Sequence, residues 1–587
     1  MANKAKTSSN QQSETNGSYD AVVVGAGFAG LYMLHCLRQL GISAKVIEAG
    51  GGVGGTWYWN RYPGARCDVE SMQYSYSYSS ELDQEWRWSE KYAPQTEILA
   101  YADHVADRYD LRGDIQFNTS VTDTVFYEER NRWTITTDQG DRVNAQFCIM
   151  AVGCLSAANR PPFEGLEDFA GPVHHTGKWP HEGIDFTGQD VAIIGTGSSA
   201  IQSIPLIAQQ AKSLTVFQRT PNYAVPAWNE KMNPEYESRI KAEYPAFRAK
   251  ARARPTGFYF PFNMKSAMDA SPDEREQQYE EAWGRGGLPF LGTYGDLLFE
   301  KDANDTIAEF ARAKIRAVVD DPDTADLLCP DNIFCCKRLC VDTGYFETIN
   351  QPHVKLVDVS QNPIERFTKT GIVSNNVEYK AYATVFATGF AAMTGSFDKI
   401  NIVGRNGQTL RDKWRAGPRT YLGLSTVGFP NFFMITGPGS PSVLANMIPS
   451  IEQHVDWMTD CVSHMKDIGA ATIEPELQYE DDWVDHVNDV AKVSLRSTCS
   501  SWYVGANIPG RPRVFMPYIG GFPIYVNKCN EVMTNNLEGF FLDDDQTENT
   551  KTKAAAPRTR WTERWRVPLD LEIIYPAAIA AKRVPVV

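Results

Sequence analysis

Two glycine-rich segments limit what this chain can fold into: Gly25-Ala-Gly27-Phe-Ala-Gly30 and Gly195-Thr-Gly197-Ser-Ser-Ala200. A G-x-G-x-x-G string is weak evidence alone and gains meaning only between a strand and a helix. The first follows an apolar run, Tyr19 to Val24, and opens a helical pattern through Leu31, Leu34 and Leu37 that Gly41 ends. A second apolar run, Ala44 to Ile47, then delivers Glu48. This is a complete β-α-β unit with an acid at its far end. Gly25 permits the tight turn, Gly27 lets the backbone approach a pyrophosphate, and Gly30 lets helix and strand pack closely. The helix N-terminus then faces the phosphates, and Glu48 accepts from ribose hydroxyls.

The second segment follows the strand Asp190 to Ile194 and precedes a helix through Ile201, Ile204 and Leu206, which makes Gly195, Gly197, Ser198 and Ala200 the matching cradle. The offset that leads from Gly25 to Glu48 leads here from Gly195 to Gln218, with Arg219 next. An acid would repel a 2′-phosphate, whereas a neutral residue followed by a guanidinium welcomes one. The first site is therefore expected to take FAD and the second NADPH.

At 587 residues the chain is too long for one core. A net charge of −15 and a pI near 5.2 argue against nucleic-acid or anionic-membrane partners. No apolar run reaches the ~18 residues that span a bilayer. Met1 to Ser18 is polar, lacks a signal-peptide core and reads as disordered. The eleven cysteines show no disulfide framework, and Cys335, Cys336 and Cys340 lack a C-x-x-C pair, so no metal site is expected. Buried free thiols and a cytoplasmic setting fit better.

The fold class expected is α/β: two Rossmann-like dinucleotide-binding domains, discontinuous in sequence, with a helical insertion in the NADP domain. Residues 19–153 and 385–545 form the FAD domain, with Phe147 to Met150 a strand, a late return through Gly428 to Gly437, and a helix from Pro449 to Met465. Residues 154–228 and 331–384 form the NADP domain, and a short strand from Thr384 to Phe386 ends in Ala387-Thr-Gly389, where the chain returns to the first domain. Residues 229–330 are charged and helix-forming; Ile307, Phe310, Ala311, Ile315 and Val318 share a face behind an Asp305 cap. The aromatic stretch Phe258 to Phe262 suits core packing better than a cleft wall. Residues 546–587 carry Lys551, Lys553, Arg558, Arg560, Arg564, Arg566, Lys582 and Arg583, with Trp561 and Trp565 four apart. Opposite charge favours docking of this tail on the acidic body over a role at a subunit contact.

Between the two cradles runs Phe169-Ala-Gly171-Pro-Val-His-His175-Thr176-Gly-Lys-Trp179-Pro180. It resembles the F-x-G-x-x-x-H-T-x-x-W-P signature of type I Baeyer–Villiger monooxygenases, with every specified position filled. Four more segments carry the resemblance, which covers roughly residues 19–545. Gly54-Gly55-Thr56-Trp57 and Tyr62-Pro63-Gly64 through Asp68 resemble a flavin-proximal motif, and Phe217-Gln-Arg219-Thr220-Pro-Asn resembles the NADP phosphate clamp. Cys336-Lys337-Arg338 is similar to the segment with the catalytic arginine, and Ser501-Trp502 through Gly510 to the late loop over bound nicotinamide. Where the family often has Ala-Thr-Gly, this chain has Ala151-Val-Gly153.

The resemblance implies an NADPH- and dioxygen-dependent flavin monooxygenase that converts a hydrophobic ketone to an ester or lactone. A peroxide on the flavin must stay deprotonated to attack the carbonyl, and so needs a cation that cannot lose its proton. Arginine meets that need better than lysine. Arg338 is the expected residue, and it would also stabilise the oxyanion formed on attack. A buried guanidinium needs a carboxylate, for which the resemblance offers Asp68; the alternative for Asp68 is a turn-forming aspartate. The resemblance further implies that Gly55, Thr56, Trp57, Asp68 and Tyr74 border the flavin. Arg219, Thr220 and Lys337 would hold the 2′-phosphate, and Trp502 the nicotinamide. His175 and Trp179 would couple the domains.

The loop Gly437 to Met447 resembles the longer form found in members acting on phenylacetone-type, steroid or large cyclic ketones, which would place Ser442, Val443, Leu444 and Met447 around the substrate; plain packing is an equal alternative. A monomer or weak homo-oligomer is expected. Two rival readings remain: an N- or S-oxygenating flavin monooxygenase, and a non-catalytic FAD/NADP-binding redox sensor. The intact H-T-x-x-W-P and the Cys336-Lys-Arg338 segment speak against the first, and the presence of Asp68, Arg338 and Trp502 speaks against the second.

Overall fold

The computed structural model describes residues 17–544 and 557–566. Its first sheet has eight strands. At the centre, Gly17–Val24 runs parallel to Ala44–Ile47 and to Arg142–Met150, with Val24 opposite both Ile47 and Met150. The run Ala21, Val22, Val23 is fully buried, as a strand covered on both faces must be. Val121–Tyr127 and Arg132–Thr137 extend the sheet as an antiparallel meander. The chain returns to it late: Asn401–Val403 joins Val121–Tyr127 and Phe432–Met434 joins Arg142–Met150, both in parallel. The polar lead is shorter than the sequence suggests, because Gly17 and Ser18 pair with Val143 and Asn144. The rest of the expected disordered segment, residues 1–16, lies outside the described residues.

The second sheet has five parallel strands, ordered Val354–Asp358, Ser213–Gln218, Asp190–Ile194, Ala383–Phe386 and Val173–His175. Ala383–Phe386 sits wholly in this sheet, so Val385 and Phe386, expected in the first domain, belong here. Two Rossmann-like halves thus have strand ends that finish in register: Val24, Ile47 and Met150 in one, Ile194, Phe217 and Phe386 in the other.

The helical segment Pro234–Leu328 interrupts the second unit in sequence, yet most of its core belongs to the first. Phe258, Phe260, Tyr279, Phe290 and Phe310 pack in the same cluster as Leu31, Leu34 and Tyr76. Gln73 and Tyr259 exchange two hydrogen bonds of 2.6 and 3.0 Å, and Arg248 reaches Asp83 at 2.5 Å. Its far end, Ile315 and Leu328, packs in the second core. The helix Lys301–Val318 buries Ile307, Phe310, Ala311 and Ile315, with Val318 partly covered. Asp305 does not cap it: the helix starts a turn earlier, after Glu300, where Lys301 pairs with Asp305 across one turn. The long returning helix runs from Met447 to Ile468, wider at both ends than its apolar pattern.

The described part of the tail docks on that helix. Arg564 donates to Asp456 at 2.5 Å, the fully buried Trp565 donates its indole N–H to the same carboxylate at 2.6 Å, and Trp561 and Thr562 donate backbone N–H to Asp460. Charge complementarity supplies the direction and two tryptophans the buried area. Lys551, Lys553, Lys582 and Arg583 lie outside the described residues. Among the described residues, no helix is long and apolar enough to cross a membrane.

Candidate functional site

The ends of both parallel sheets open onto one cleft of about 1530 Å³. That exceeds the roughly 300–1,000 Å³ of a site for one small molecule. Strand ends at a topological switch point are where open α/β sheets bind ligands.

On the first side the cleft is lined by Gly25, Gly27 and Glu48. Gly25 has φ of +105°, and a Cβ there would stand 2.6 Å from the Ala151 carbonyl. A Cβ on Gly30 would lie 1.9 Å from the carbonyl oxygen of Gly25, so only glycine lets this helix start where it does. The helix Phe28–Gln39 begins at Gly27 with no side-chain cap and no acid in its first turn. Ser198–Ala208 begins at Gly197 in the same way. Two uncapped positive helix ends thus face one cleft, an arrangement suited to two pyrophosphates.

Glu48 is buried and accepts from the N–H of Ala26 at 2.6 Å and of Gly50 at 2.7 Å. Burial raises its pKa while these two donors pull it back. Its carboxylate holds the turn together on the wall of the cleft. Ser198 faces the cleft with its hydroxyl 3.3 Å from Cys340 Sγ, and Ala200 is buried in the helix behind it.

Thr56, Trp57 and Tyr74 form the adjoining wall, where Gly55 starts a short helix at φ +54°. The Trp57 indole N–H donates to Tyr74 Oη at 3.2 Å, and Gln95 donates to the Trp57 carbonyl at 2.5 Å. Burial raises the Tyr74 pKa well above its usual value, so its hydroxyl stays protonated.

Arg338 and Asp68, 270 residues apart, meet on the wall of the cleft. Arg338 Nε donates to Asp68 Oδ2 at 2.6 Å and Nη2 to Oδ1 at 2.9 Å, a two-pronged pair. Nη1 donates to the Val443 carbonyl at 2.8 Å. Burial opposes the guanidinium charge, but Asp68 outweighs it and holds the pKa above its ordinary value. A guanidinium has five N–H bonds. These contacts use three, which leaves one on each terminal nitrogen beside a cleft to which 30% of the side chain is open.

Arg219, Thr220 and Lys337 line the second side. Arg219 is exposed, and neither cation makes an ion pair among the described residues. Burial lowers the Lys337 pKa, and repulsion from Arg219 adds to it. Two neighbouring cations that share no ion-paired carboxylate among the described residues are complementary to a phosphate. Gln218 is buried and donates to the Leu327 carbonyl at 2.7 Å. Trp502 borders the cleft with its ring 4.1 Å from that of Tyr503, and beside it Ser501 Oγ and Asn507 Oδ1 are buried without hydrogen-bond partners among the described residues. Orphaned polar atoms on a cleft wall fit a bound polar ligand.

Of the loop residues expected around a substrate, Val443 and Met447 line the cleft. Ser442 does not: it is fully buried at φ +43°, with its hydroxyl 3.7 Å from Met393 Sδ. Leu444 packs instead against the cluster that holds Tyr503 and Phe515. A one-turn 3₁₀ helix over Ser442–Leu444 turns these side chains away. His175 accepts at Nδ1 from the Gly177 N–H at 2.9 Å, so Nε2 carries the proton and donates to the Asn159 carbonyl at 3.2 Å. Burial lowers its pKa. It thereby pins the crossover at Asn159, to which Thr388 of the other crossover also donates at 2.5 Å. Trp179 is a core residue of the second unit, packed edge-on to Phe186 and 4% exposed, rather than a linker.

Sequence reasoning missed Gln202, Ser199 and Asn446, all on the cleft wall. Gln202 accepts from Tyr62 Oη at 2.8 Å and donates to the Arg66 carbonyl at 3.2 Å, tying the second helix to the loop that carries Tyr62, Arg66 and Asp68. A glutamine within an apolar helix was the available signal. Asn446 caps the returning helix and donates to the Gln73 carbonyl at 2.7 Å.

Two dinucleotide cradles that share a cleft with a clamped arginine define a two-cofactor flavoprotein oxidoreductase. Residues 22–253 match the family described as pyridine nucleotide-disulphide oxidoreductase. Over 529 residues the chain is 41% identical to a Baeyer-Villiger monooxygenase of Pseudooceanicola batsensis, covering 89% of this chain and 96% of that one. It is 39% identical to a phenazine N-monooxygenase of Lysobacter antibioticus, covering 90% and 97%. A solved structure described as oxidized steroid monooxygenase bound to NADP is 52% identical, with a TM-score of 0.86 over 90% of this chain and all of that one. The chain belongs to the Baeyer–Villiger monooxygenases, FAD- and NADPH-dependent enzymes.

Proposed function

We propose that this enzyme oxygenates hydrophobic ketones, cyclic or arylaliphatic, to esters or lactones, with Arg338 as its catalytic residue and Asp68 as the residue that positions it. The observation that carries the reading is the Arg338 clamp: a guanidinium fixed on three sides, with two N–H bonds left for charge that develops in the cleft. Bound FAD supplies hydride acceptance from NADPH and the activation of oxygen. Arg338 then holds a permanent positive charge beside the reacting atoms and donates to the ketone oxygen as it becomes an oxyanion. Asp68 keeps the guanidinium from swinging away. Arg219, Lys337 and Thr220 bind the 2′-phosphate, and Trp502 covers the nicotinamide end, keeping water out during turnover. Val443 and Met447 supply an apolar wall for the ketone, and the steroid monooxygenase likeness supports a bulky one. The eleven free cysteines support a reducing, cytoplasmic setting.

The Lysobacter relative favours a second reading, N-oxygenation of a heteroaromatic substrate. Mass-spectrometric screening of graded ketones and of aromatic N-heterocycles separates the two. A lactone or ester gained from bulky ketones supports the first reading; N-oxides alone overturn it. Arg338→Ala should still bleach its flavin on NADPH addition and form no ester, and normal ester formation would remove Arg338 from the chemistry.

A further inference from the structure

Arg496 carries a charge that the chemistry above does not use. It is 9% exposed and makes no ion pair among the described residues. A guanidinium buried without a carboxylate is costly and needs other partners. It has two, on different segments. Nε donates to the Cys335 carbonyl at 3.0 Å, and the guanidinium carbon lies 5.8 Å from the centre of the Tyr503 ring, within cation–π range.

Both segments belong to the cleft wall. Cys336, Lys337 and Arg338 line it directly after Cys335, and Ser500, Ser501 and Trp502 line it directly before Tyr503. Each is anchored on the helical insertion. Asn304 accepts from the Phe334 N–H at 2.9 Å and donates to the Phe334 carbonyl at 3.1 Å. The Leu495 N–H donates to the Leu298 carbonyl at 3.0 Å, where a 3₁₀ turn over Leu495–Thr498 presents Arg496. Cys335 holds φ of +63°, a backbone that a residue with a Cβ keeps only where its surroundings hold it. Arg496 holds its carbonyl. On the other side the buried Tyr503 ring passes the contact to the Trp502 ring at 4.1 Å. A carbonyl, a guanidinium and two rings therefore stand in series between the Arg338 segment and Trp502.

We propose that Arg496 is a positioning residue, which sets the Trp502 ring at a fixed distance from the Lys337–Arg338 segment and so keeps the coenzyme in the cleft during turnover. This rests on the role given to Trp502 above. Without the guanidinium the two segments move independently, and the coenzyme leaves sooner. Hydride transfer from NADPH already bound does not use the contact.

The test compares Arg496→Met, which keeps an apolar stem and removes the charge, with Trp502→Ala and the double variant, each as FAD-loaded holoenzyme. Arg496→Met should raise the Michaelis constant for NADPH roughly 10- to 100-fold, the worth of a hydrogen bond to a charged group. NADP+ release should be faster and hydrogen peroxide per NADPH higher, with bleaching at saturating NADPH unchanged. The double variant should be no worse than Trp502→Ala, because Arg496 acts through that ring. Arg496→Lys puts a compact charge where a planar fork serves two partners, so its Michaelis constant should rise several-fold, and it decides the matter if the methionine variant does not fold. Normal coenzyme kinetics and peroxide yield in these variants, with only a lower melting temperature, would overturn the proposal. Effects that add in the double variant would do the same. If Trp502→Ala is itself normal, the role given to Trp502 fails and takes this proposal with it; a defective Trp502→Ala beside a normal Arg496→Met removes the positioning role alone.

Discussion

Replacing Asp68 by alanine isolates the positioning of Arg338 from its charge. The substitution removes both oxygens that hold Nε and Nη2, at 2.6 and 2.9 Å, and leaves only the Val443 carbonyl. Breaking a fully buried ion pair costs ~3–5 kcal/mol. Here 30% of the arginine and 23% of the aspartate side chain are open to the cleft, so water can replace part of the lost partner. The cost falls towards that of a hydrogen bond to a charged group, ~2–3 kcal/mol. If that sum weighs on the orientation needed for oxygen transfer, ester formation slows roughly 30- to 150-fold. Asp68→Asn keeps the volume and one acceptor and should lose about half as much free energy, roughly tenfold in rate. Stopped-flow bleaching by NADPH should be unchanged in both variants, because hydride transfer does not use the two spare N–H bonds. The ester formed per NADPH consumed should fall and hydrogen peroxide rise. An Asp68→Ala enzyme with normal ester yield would refute the positioning argument, and slowed bleaching would place Asp68 in coenzyme binding instead.

Two further outcomes follow from the charges. Arg219→Ala should raise the Michaelis constant for NADPH by about 10- to 100-fold, the worth of one hydrogen bond to a phosphate, while that for NADH barely moves; equal shifts would remove the phosphate role. His454 accepts at Nδ1 from the Thr436 N–H at 2.9 Å and shares Nε2 with Tyr525 Oη at 2.9 Å, and burial lowers its pKa to about 3. The unfolded chain therefore binds this proton first. The stability His454 gives is complete above pH ~6.5 and is lost as pH falls towards about 3, at about 1.4 kcal/mol per pH unit. Urea unfolding of the wild type and of His454→Gln should show their stability difference shrinking from pH 7 to pH 5, and a constant difference would refute the burial argument.

The strands and both cradles were legible because their signals are local. An apolar run, glycines at fixed offsets and an acid at the next strand end specify a turn without reference to the rest of the chain. Most of the misreadings share a cause, contact with a distant segment; the Asp305 cap is the local exception. Gly17 and Ser18 look like polar leader until Arg142–Met150 supplies a ladder for them. Asp305 looks like a cap until Lys301 extends the helix past it. Ser442 looks like a loop hydroxyl facing a substrate until Met393 buries it. The helical insertion reads as part of the unit it interrupts, yet Gln73 and Asp83 of the other unit hold it. No spacing in the sequence predicts the Asp68–Arg338 pair; the family resemblance alone proposed it.

The clamp also explains why the chain can afford to be discontinuous. Arg338 follows the second unit's interruption, Asp68 belongs to the first unit's opening half, and Val443 lies in the stretch that returns to the first sheet. One guanidinium therefore ties together three of the chain segments that line the cleft. Each contact is directional, so a shift of any segment re-aims the two spare N–H bonds rather than merely loosening the fold. Substitutions that reshape the 442–447 loop for a larger ketone act on the Val443 carbonyl as well as on the wall. On the roles proposed for Arg338 and Val443, substrate size and the efficiency of oxygen transfer would be coupled through that one bond, and changes there should move both together.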